Sequence, residues 1–364
     1  MATIYLTDEA CRDQLYPFTL TRHAADIRVG ILTIREKWKA LSGSPVEIVS
    51  AGTGTGSLAP DSFTADFVET GNFPNPFPAN ILPSKEFVQS IKQNKSPLIG
   101  ETRTIEYPWD IYRLNDWAIR QDFQLLTEGR QGQLPGKGIY LANEQDIFIE
   151  ESAQVGSCWI NATAGPVYIG KEAVIMDGAM IYGPVAIGQG AVIKMGAKIY
   201  GATTIGPYSI AGGEIKNSVM MAFSNKAHDG YLGDAVLGEW CNLGAGTSNS
   251  NIKNTAGEVA VWHPALNASK KVGLKCGLIM GDYSRASINT SFNTGTMVGI
   301  CANVFGNGLT PKYIPSFAWG SDGSTKAGID KTLEHINNWK KLKGKELSEN
   351  EIQQLKHIFE HYKY

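Results

Sequence analysis

Seven isoleucines, Ile169, Ile175, Ile181, Ile187, Ile193, Ile199 and Ile205, stand at every sixth position without a break. Four residues after each, the side chain is small: Ala173, Ala179, Val185, Ala191, Ala197, Thr203 and Ser209. A period of six fits neither the turn of a helix, about 3.6 residues, nor the two-residue alternation of an ordinary strand. It fits a parallel β-helix with three short flat sides, in which each isoleucine points inward and each small residue eases the chain round a corner. Consecutive hits with a matched second column exclude chance. The period does not give the hand of the coil, although parallel crossovers are right-handed in nearly all proteins.

At 364 residues the chain is long enough for two domains with full cores, and its 40 glycines suit a turn-rich solenoid. A net charge of -2 gives no bulk attraction to nucleic acid or to an anionic membrane, so small molecules are the expected partners. The cysteines Cys11, Cys158, Cys241, Cys276 and Cys301 form no close pair, which suggests neither a zinc site nor a disulfide framework. The opening MATIYLTDEA has no basic segment followed by an apolar run, and no stretch approaches the roughly 20 apolar residues of a membrane span. A reducing cytoplasm is the expected location.

Three regions follow. Residues 1–142 are non-repetitive and read as a small α/β domain, with strand-like runs at Thr3–Leu6 and Val46–Ser50 and a helix around Ile31–Ala40. The three prolines of Gly71–Asn80 force an extended or turn-like path. The β-helix domain occupies 143–318, with its register blurred at Asn217–Gly230 and Asn249–Lys275, where loops are expected to leave the coil and carry function. Residues 319–364 read as a helical extension of two helices, the second starting near Ser348 with Glu351 three residues on, as in a capping box, and packing on the coil or on a neighbouring chain.

Hexapeptide repeats of this kind resemble the left-handed β-helix family, the known exception to the crossover rule, and that resemblance implies a trimeric acyltransferase with sites between neighbouring prisms. The first blurred stretch, Lys226-Ala-His-Asp-Gly-Tyr-Leu-Gly-Asp-Ala235, continues to Asn242-Leu-Gly-Ala-Gly-Thr247. Both runs and their spacing resemble the acetyltransferase half of the bifunctional N-acetylglucosamine-1-phosphate uridyltransferase/glucosamine-1-phosphate N-acetyltransferase family. The resemblance implies that His228 is the general base, that Tyr231 and Asn242 hold the sugar, that Asn251 supports His228 or the sugar, and that the backbone of Ala245 meets the acetyl group or coenzyme A. Acetyl-CoA is then the cosubstrate. The chemistry suits the residues: an attacking amine must lose a proton, and an imidazole with an ordinary pKa of about 6.5 accepts one near neutral pH. Backbone N–H groups of the Leu243–Thr247 turn are candidates to meet the developing oxyanion. For a sugar phosphate the candidate cations are Lys194, Lys216 and Lys226; Lys216 lies where the family places a substrate lysine, and Lys194 near a family arginine.

The nucleotidyltransferase half departs from the family. Its Gly-rich phosphate loop is missing from the segment Leu15–Gly30, and the later Ala51–Gly56 run lacks the lysine and reads as a surface turn. The runs Arg28–Trp38, Ile105–Asp110 and Gly277–Asp282 resemble a divergent, shortened bacterial group of the same family. Charge near the first strand leaves Arg12, Arg22 and Arg28 as candidate phosphate contacts, and Asp8 and Asp110 as candidate ligands for Mg2+ if nucleotidyl transfer is retained. The leading expectation is an acetyl-CoA-dependent N-acetyltransferase on an amino-sugar phosphate, working as a homotrimer. A nucleotidyltransferase with a β-helix for trimerisation and a non-catalytic trimeric scaffold are the alternatives. A metal-dependent hydratase is set aside because the coil offers only His228 and His263 where three histidines are needed.

Overall fold

A computed structural model describes residues 3–49, 76–93, 95 and 102–362. Two compact units emerge. One comprises Arg28–Ile31 and Trp109–Ala327; the other comprises Met1–Ile27, Leu32–Pro108 and Gly328–Tyr364.

The first unit is a β-solenoid. Its short strands stack into parallel sheets: one of nine strands from Ile147–Ile149 to Tyr313–Ile314, one of eight from Gln154–Val155 to Asn303–Val304, and one of six from Tyr140–Ala142 to Tyr231–Gly233. The register Val167↔Val185↔Thr203 fixes a coil of eighteen residues, three hexads. All seven isoleucines of the repeat are at most 2% exposed, and the small residues at the paired positions are 0% exposed, so the periodic column is the core. One corner is turned by left-handed residues that are not glycine, Tyr208, Phe223 and Trp240, at φ 57°, 61° and 58°. Their rings stack with centroids 5.2 and 4.4 Å apart. Such stacking contributes about 0.5–1.5 kcal/mol per pair, comparable to the strain of a side chain in that conformation.

The two blurred stretches differ. At Asn249–Lys275 the chain does leave the coil, as an antiparallel hairpin of Val259–His263 against Ala268–Gly273. At Asn217–Gly230 it does not: Val219–Met220 and Asn225–Lys226 continue the ladders, with Ile210↔Asn225 and Ala211↔Lys226 in register. The expectation of a departing loop there is corrected. The coil has shortened instead. Buried inward residues run Ile205, Ala211, Ile215, Met220, Lys226, Leu232, Leu237 and Leu243, at spacings of 6, 4, 5, 6, 6, 5 and 6. The pattern loses phase while the path continues.

In the second unit a parallel three-stranded sheet has Ile4–Thr7 between Val46–Ile48 and Phe77–Pro78. Helix Ile34–Ser42 opens with a Thr33/Glu36 capping box and ends at left-handed Gly43. It buries Trp38 against Phe77, 5.1 Å between ring centroids. The helices Ile329–Lys341 and Glu349–His361, the second with the expected Ser348/Glu351 box, group with this unit rather than with the coil. Gln354 donates to the Leu20 carbonyl at 3.2 Å, and Lys340 pairs with Glu351 at 2.5 Å. The Ala51–Gly56 run and residues 71–75 of the proline-rich stretch lie outside the described residues. Among the described residues no helix is long and apolar enough to cross a membrane. All five thiols are buried.

Asp8 stands directly after the first strand, at the carboxyl end of the parallel sheet where open α/β sheets receive ligands. Its Oδ2 accepts from Arg12 at 2.7 Å, from the Ala24 N–H at 3.1 Å, and lies 3.2 Å from His23 Nδ1. Arg12 also donates to the Thr19 carbonyl. Burial pushes this carboxyl up, but the His23 hydrogen bond, the charges of Arg12 and His23 and the Ala24 N–H outweigh it and hold it at about 2. A depressed carboxylate stabilises the fold fully above its unfolded value and loses that contribution as pH falls through the folded one. Asp8→Asn is therefore expected to cost about 2 kcal/mol at pH 7. The gap to the wild type should close between about pH 4 and pH 2; equal denaturation midpoints at pH 7 would remove this role.

Candidate active site

Gly212 and Gly213 form a corner cut down to two residues, and this indentation makes room for the site. A Cβ on Gly212 would stand 2.4 Å from the Ala227 carbonyl oxygen, and one on Gly213, at φ +69°, 2.7 Å from that of His228. The bend Ala227–Gly230 of the next coil rests against this bare backbone. His228 lies in that bend with its side chain exposed, between Asn225–Lys226 and Tyr231–Gly233.

On the following coil the corner holding Ala245 stacks directly on the bend, since the Gly246 N–H donates to the Asp229 carbonyl at 3.0 Å. The N–H groups of Gly244 and Thr247, expected as oxyanion donors, are instead bonded to the carbonyls of Ala286 and Gly244 at 3.0 and 3.1 Å. Among the described residues, no acceptor is bonded to the Ala245 N–H.

The flat side leading away from His228 carries two outward rows. Lys198, Glu214 and Tyr231 are in register in one, and Tyr200, Lys216 and Gly233 in the other. The Lys216 ammonium sits 5.4 Å from the centre of the Tyr200 ring, and the Tyr200 hydroxyl donates to Glu214 at 2.6 Å. That bond, with burial and the Glu214 charge, pushes the Tyr200 phenol up to about 12. Burial first, then the charges of Asp234 and Glu214, pushes Tyr231 to about 12 as well. Gly233 leaves space that the Tyr231 ring fills, for a Cβ there would come within 2.2 Å of its oxygen.

Asn251 Nδ2 donates to the Tyr231 hydroxyl at 3.1 Å and to Asp234 at 2.5 Å, and Asn217 donates to the other Asp234 oxygen at 2.6 Å. Asp234 is buried and left-handed, φ 47°, so a short polar side chain fixes Asn251 and through it Tyr231. Asn249 makes the paired bonds with Gly233, 2.9 Å each way, that a ladder neighbour would supply had the hairpin not departed.

The structure thus gathers His228, Ala245, Tyr231, Lys216 and Asn251 along one edge and its adjoining side. Asn242 lies on the side preceding that edge, in register with Asn225 and Arg285. Lys194 lies on the same edge two coils from the bend, about 10 Å at the spacing of parallel strands, its N–H bonded to the Ala211 carbonyl at 2.8 Å. Lys226 differs from the expectation of a phosphate-facing cation, being only 1% exposed. Its ammonium points inward, donating to the carbonyls of Gly212 at 3.3 Å and of His228. Burial lowers its pKa to about 8, against a small opposing effect of Asp229.

The remaining candidates fall elsewhere. Arg12, Arg22 and Asp8 belong to the other unit, whereas Arg28 and Asp110 belong to the solenoid unit. Arg28 donates to the Ile31 carbonyl, and Asp110 lies 3.7 Å from Arg113. Among the described residues no three or more His, Cys, Asp or Glu side chains are grouped to hold a metal ion. The sequence reading missed Gly212–Gly213 and Asp234; an adjacent glycine pair where the hexads lose phase was the available signal for the first.

A sugar nucleotidyl transferase family model matches residues 4–55. The chain is 25% identical over 289 residues to the bifunctional protein GlmU of Methanococcus vannielii, covering 71% of this chain and 61% of that one. It is 36% identical over 88 residues to the bifunctional protein GlmU of Methanocaldococcus jannaschii, covering 24% and 21%. To the bifunctional sugar-1-phosphate nucleotidylyltransferase/acetyltransferase of Sulfurisphaera tokodaii it is 34% identical over 92 residues, covering 25% and 23%. The matched regions span less than two thirds of each relative's own length. With a solved UDP-N-acetylglucosamine acyltransferase from Francisella novicida it shares 17% identity over 62% of this chain and 76% of that one, at a TM-score of 0.28. The chain is related to the bifunctional GlmU proteins.

Gly213→Ala tests the bare corner. It is expected to lower stability by about 1–3 kcal/mol and to speed hydrogen exchange at the Gly246 amide, whose acceptor lies in the displaced bend. Unchanged exchange would show that the bend does not lean on this glycine.

Proposed function

We propose that this chain, as a relative of the bifunctional sugar-1-phosphate nucleotidylyltransferase/acetyltransferases, transfers an acetyl group from acetyl-CoA to the amine of an amino-sugar phosphate of the glucosamine-1-phosphate class. The observation that carries this is an exposed imidazole, His228, set between a lysine- and tyrosine-bearing side and a neighbouring corner with an unused N–H at Ala245.

In this reading His228 removes a proton from the sugar amine as its nitrogen attacks the thioester carbonyl carbon. The Ala245 N–H faces the oxygen that gains charge. The carbon–sulfur bond then breaks, and coenzyme A leaves as a thiolate that takes up a proton. Lys216 meets the phosphate, as a point charge rather than a bidentate fork, with Lys194 further along the edge. Tyr231, held by Asn251 and Asp234, orients the sugar ring, and Asn242 approaches from the adjoining side. A homotrimer in a reducing cytoplasm completes the reading.

His228→Ala is expected to lower the release of coenzyme A thiol from acetyl-CoA and glucosamine-1-phosphate by about 10²–10⁴-fold. Thiol release at the wild-type rate in the variant would remove His228 from the chemistry.

A second reading, nucleotidyl transfer by the N-terminal region, is favoured by the family match at residues 4–55. The Asp8 carboxylate there meets Arg12, His23 and the Ala24 N–H through Oδ2. This reading predicts pyrophosphate release from a nucleoside triphosphate and a sugar 1-phosphate with magnesium present. No release with UTP, dTTP, GTP or CTP would reject it.

A further inference from the structure

The interior column of the eight-stranded sheet runs Ile175, Ile193, Ala211, Lys226, with Leu243, Ala286 and Val304 beyond. Lys226 occupies a place that the repeat gives to an aliphatic residue. An ammonium so enclosed is unfavourable unless it is hydrogen-bonded, and two features make the position tolerable. Ala211, one rung away, is small where Ile193 and Ile175 are large, which leaves volume for the lysine stem. The stem ends beneath the edge, where the ammonium finds the Gly212 carbonyl of the cut-down corner and the carbonyl of His228 itself.

These two acceptors lie on adjacent coils, one on each side of the contact that seats the bend. No Gly212 side chain intervenes, since a Cβ there would strike Ala227. We propose that Lys226 is a positioning residue for His228, its enclosed ammonium clamping the Ala227–Gly230 bend to the Gly212–Gly213 corner so that the imidazole is presented at one place on the edge. The role assigned to His228 rests on the acetyltransferase reading; the clamp itself does not. An apolar side chain of similar length fits the column and removes a buried charge, a change often neutral for stability or favourable to it. A lysine kept for stability alone would therefore not produce a loss of activity in a variant that is fully folded.

The test is Lys226→Met in the full chain, read by thermal unfolding, by imidazole NMR of His228 assigned with His228→Gln, and by acetyl transfer. The expected result is a melting temperature within a few degrees of the wild type. The His228 resonance should shift or split, and kcat should fall about 10- to 100-fold with the KM for the amino sugar within about twofold. Lys226→Gln, too short to reach both carbonyls, should give the same pattern and serves if the methionine variant does not fold. An unaltered His228 resonance in a folded variant overturns the proposal, as does a loss confined to KM. If the wild type transfers no acetyl group, the acetyltransferase reading fails on that arm while the NMR arm still decides the clamp.

Discussion

The inward column of the coil is the constraint on which the other features depend. Each flat side is only two or three residues long, so on each side one large inward side chain and the small residue two before it must fill the interior. Burying each isoleucine removes enough apolar surface to contribute about 1.5–3 kcal/mol. The parallel ladders tie successive rungs at about 4.8 Å, and the outward residues inherit that spacing. Lys216 therefore stands beside Tyr200, and Tyr231 beside Glu214, because Ile215 pairs with Ile199 and Leu232 in the core. Precision on the outside is a consequence of burial on the inside.

A perfect prism would offer smooth edges and no recess. Here the recess arises where the corner between Ala211 and Glu214 is reduced to two glycines and the coil loses residues. The same shortening brings the backbone of one coil hard against the next, so that the His228 bend, the Gly212–Gly213 corner and the Ala245 corner are stacked by main-chain contacts. Polar residues then enter positions the core would otherwise fill: Lys226, Ser224 and Asn249 are all buried there, each hydrogen-bonded to backbone. Local departure from the apolar rule coincides with the candidate site, as expected where consistency is relaxed for function.

This explains what could be read in the sequence. The fold was legible from seven isoleucines because a single spacing recurs in core and corner alike. The helix at Ile34–Ser42 and the Ser348 cap were legible from local chemistry. The stretch Asn217–Gly230 was misread as a departing loop because the hexad count assumes corners of constant length, and spacings of 4 and 5 defeat it. Lys226 was misread for the same reason: without the corrected phase, nothing in the sequence says which way a lysine in a solenoid strand points. Asp234 and its hold on Asn251 were invisible because they bridge residues on either side of a corner. The departure at Asn249–Lys275 was anticipated, since the hexad spacing breaks there; its buried Val259 and Val261 follow the two-residue alternation of a hairpin strand instead.

The charged groups at the end of the first strand and those along the candidate edge are used in different ways. In the N-terminal unit, Asp8, Arg12 and His23 satisfy one another at the end of the first strand, and the depressed Asp8 carboxyl records how strongly they do so. All three donors converge on one oxygen of this carboxylate, Oδ2, and tie the end of the strand to the turn that follows. Along the solenoid edge Tyr231 is held by the Asn251 amide and His228 through its backbone carbonyl by Lys226, contacts that fix position without consuming the imidazole or the Lys216 charge. Internal pairing stabilises a fold, whereas groups held in place and left facing outward are available for chemistry. The acetyl-transfer reading draws on this geometry together with the similarity to the bifunctional relatives, and the nucleotidyl-transfer reading draws on the family match at residues 4–55.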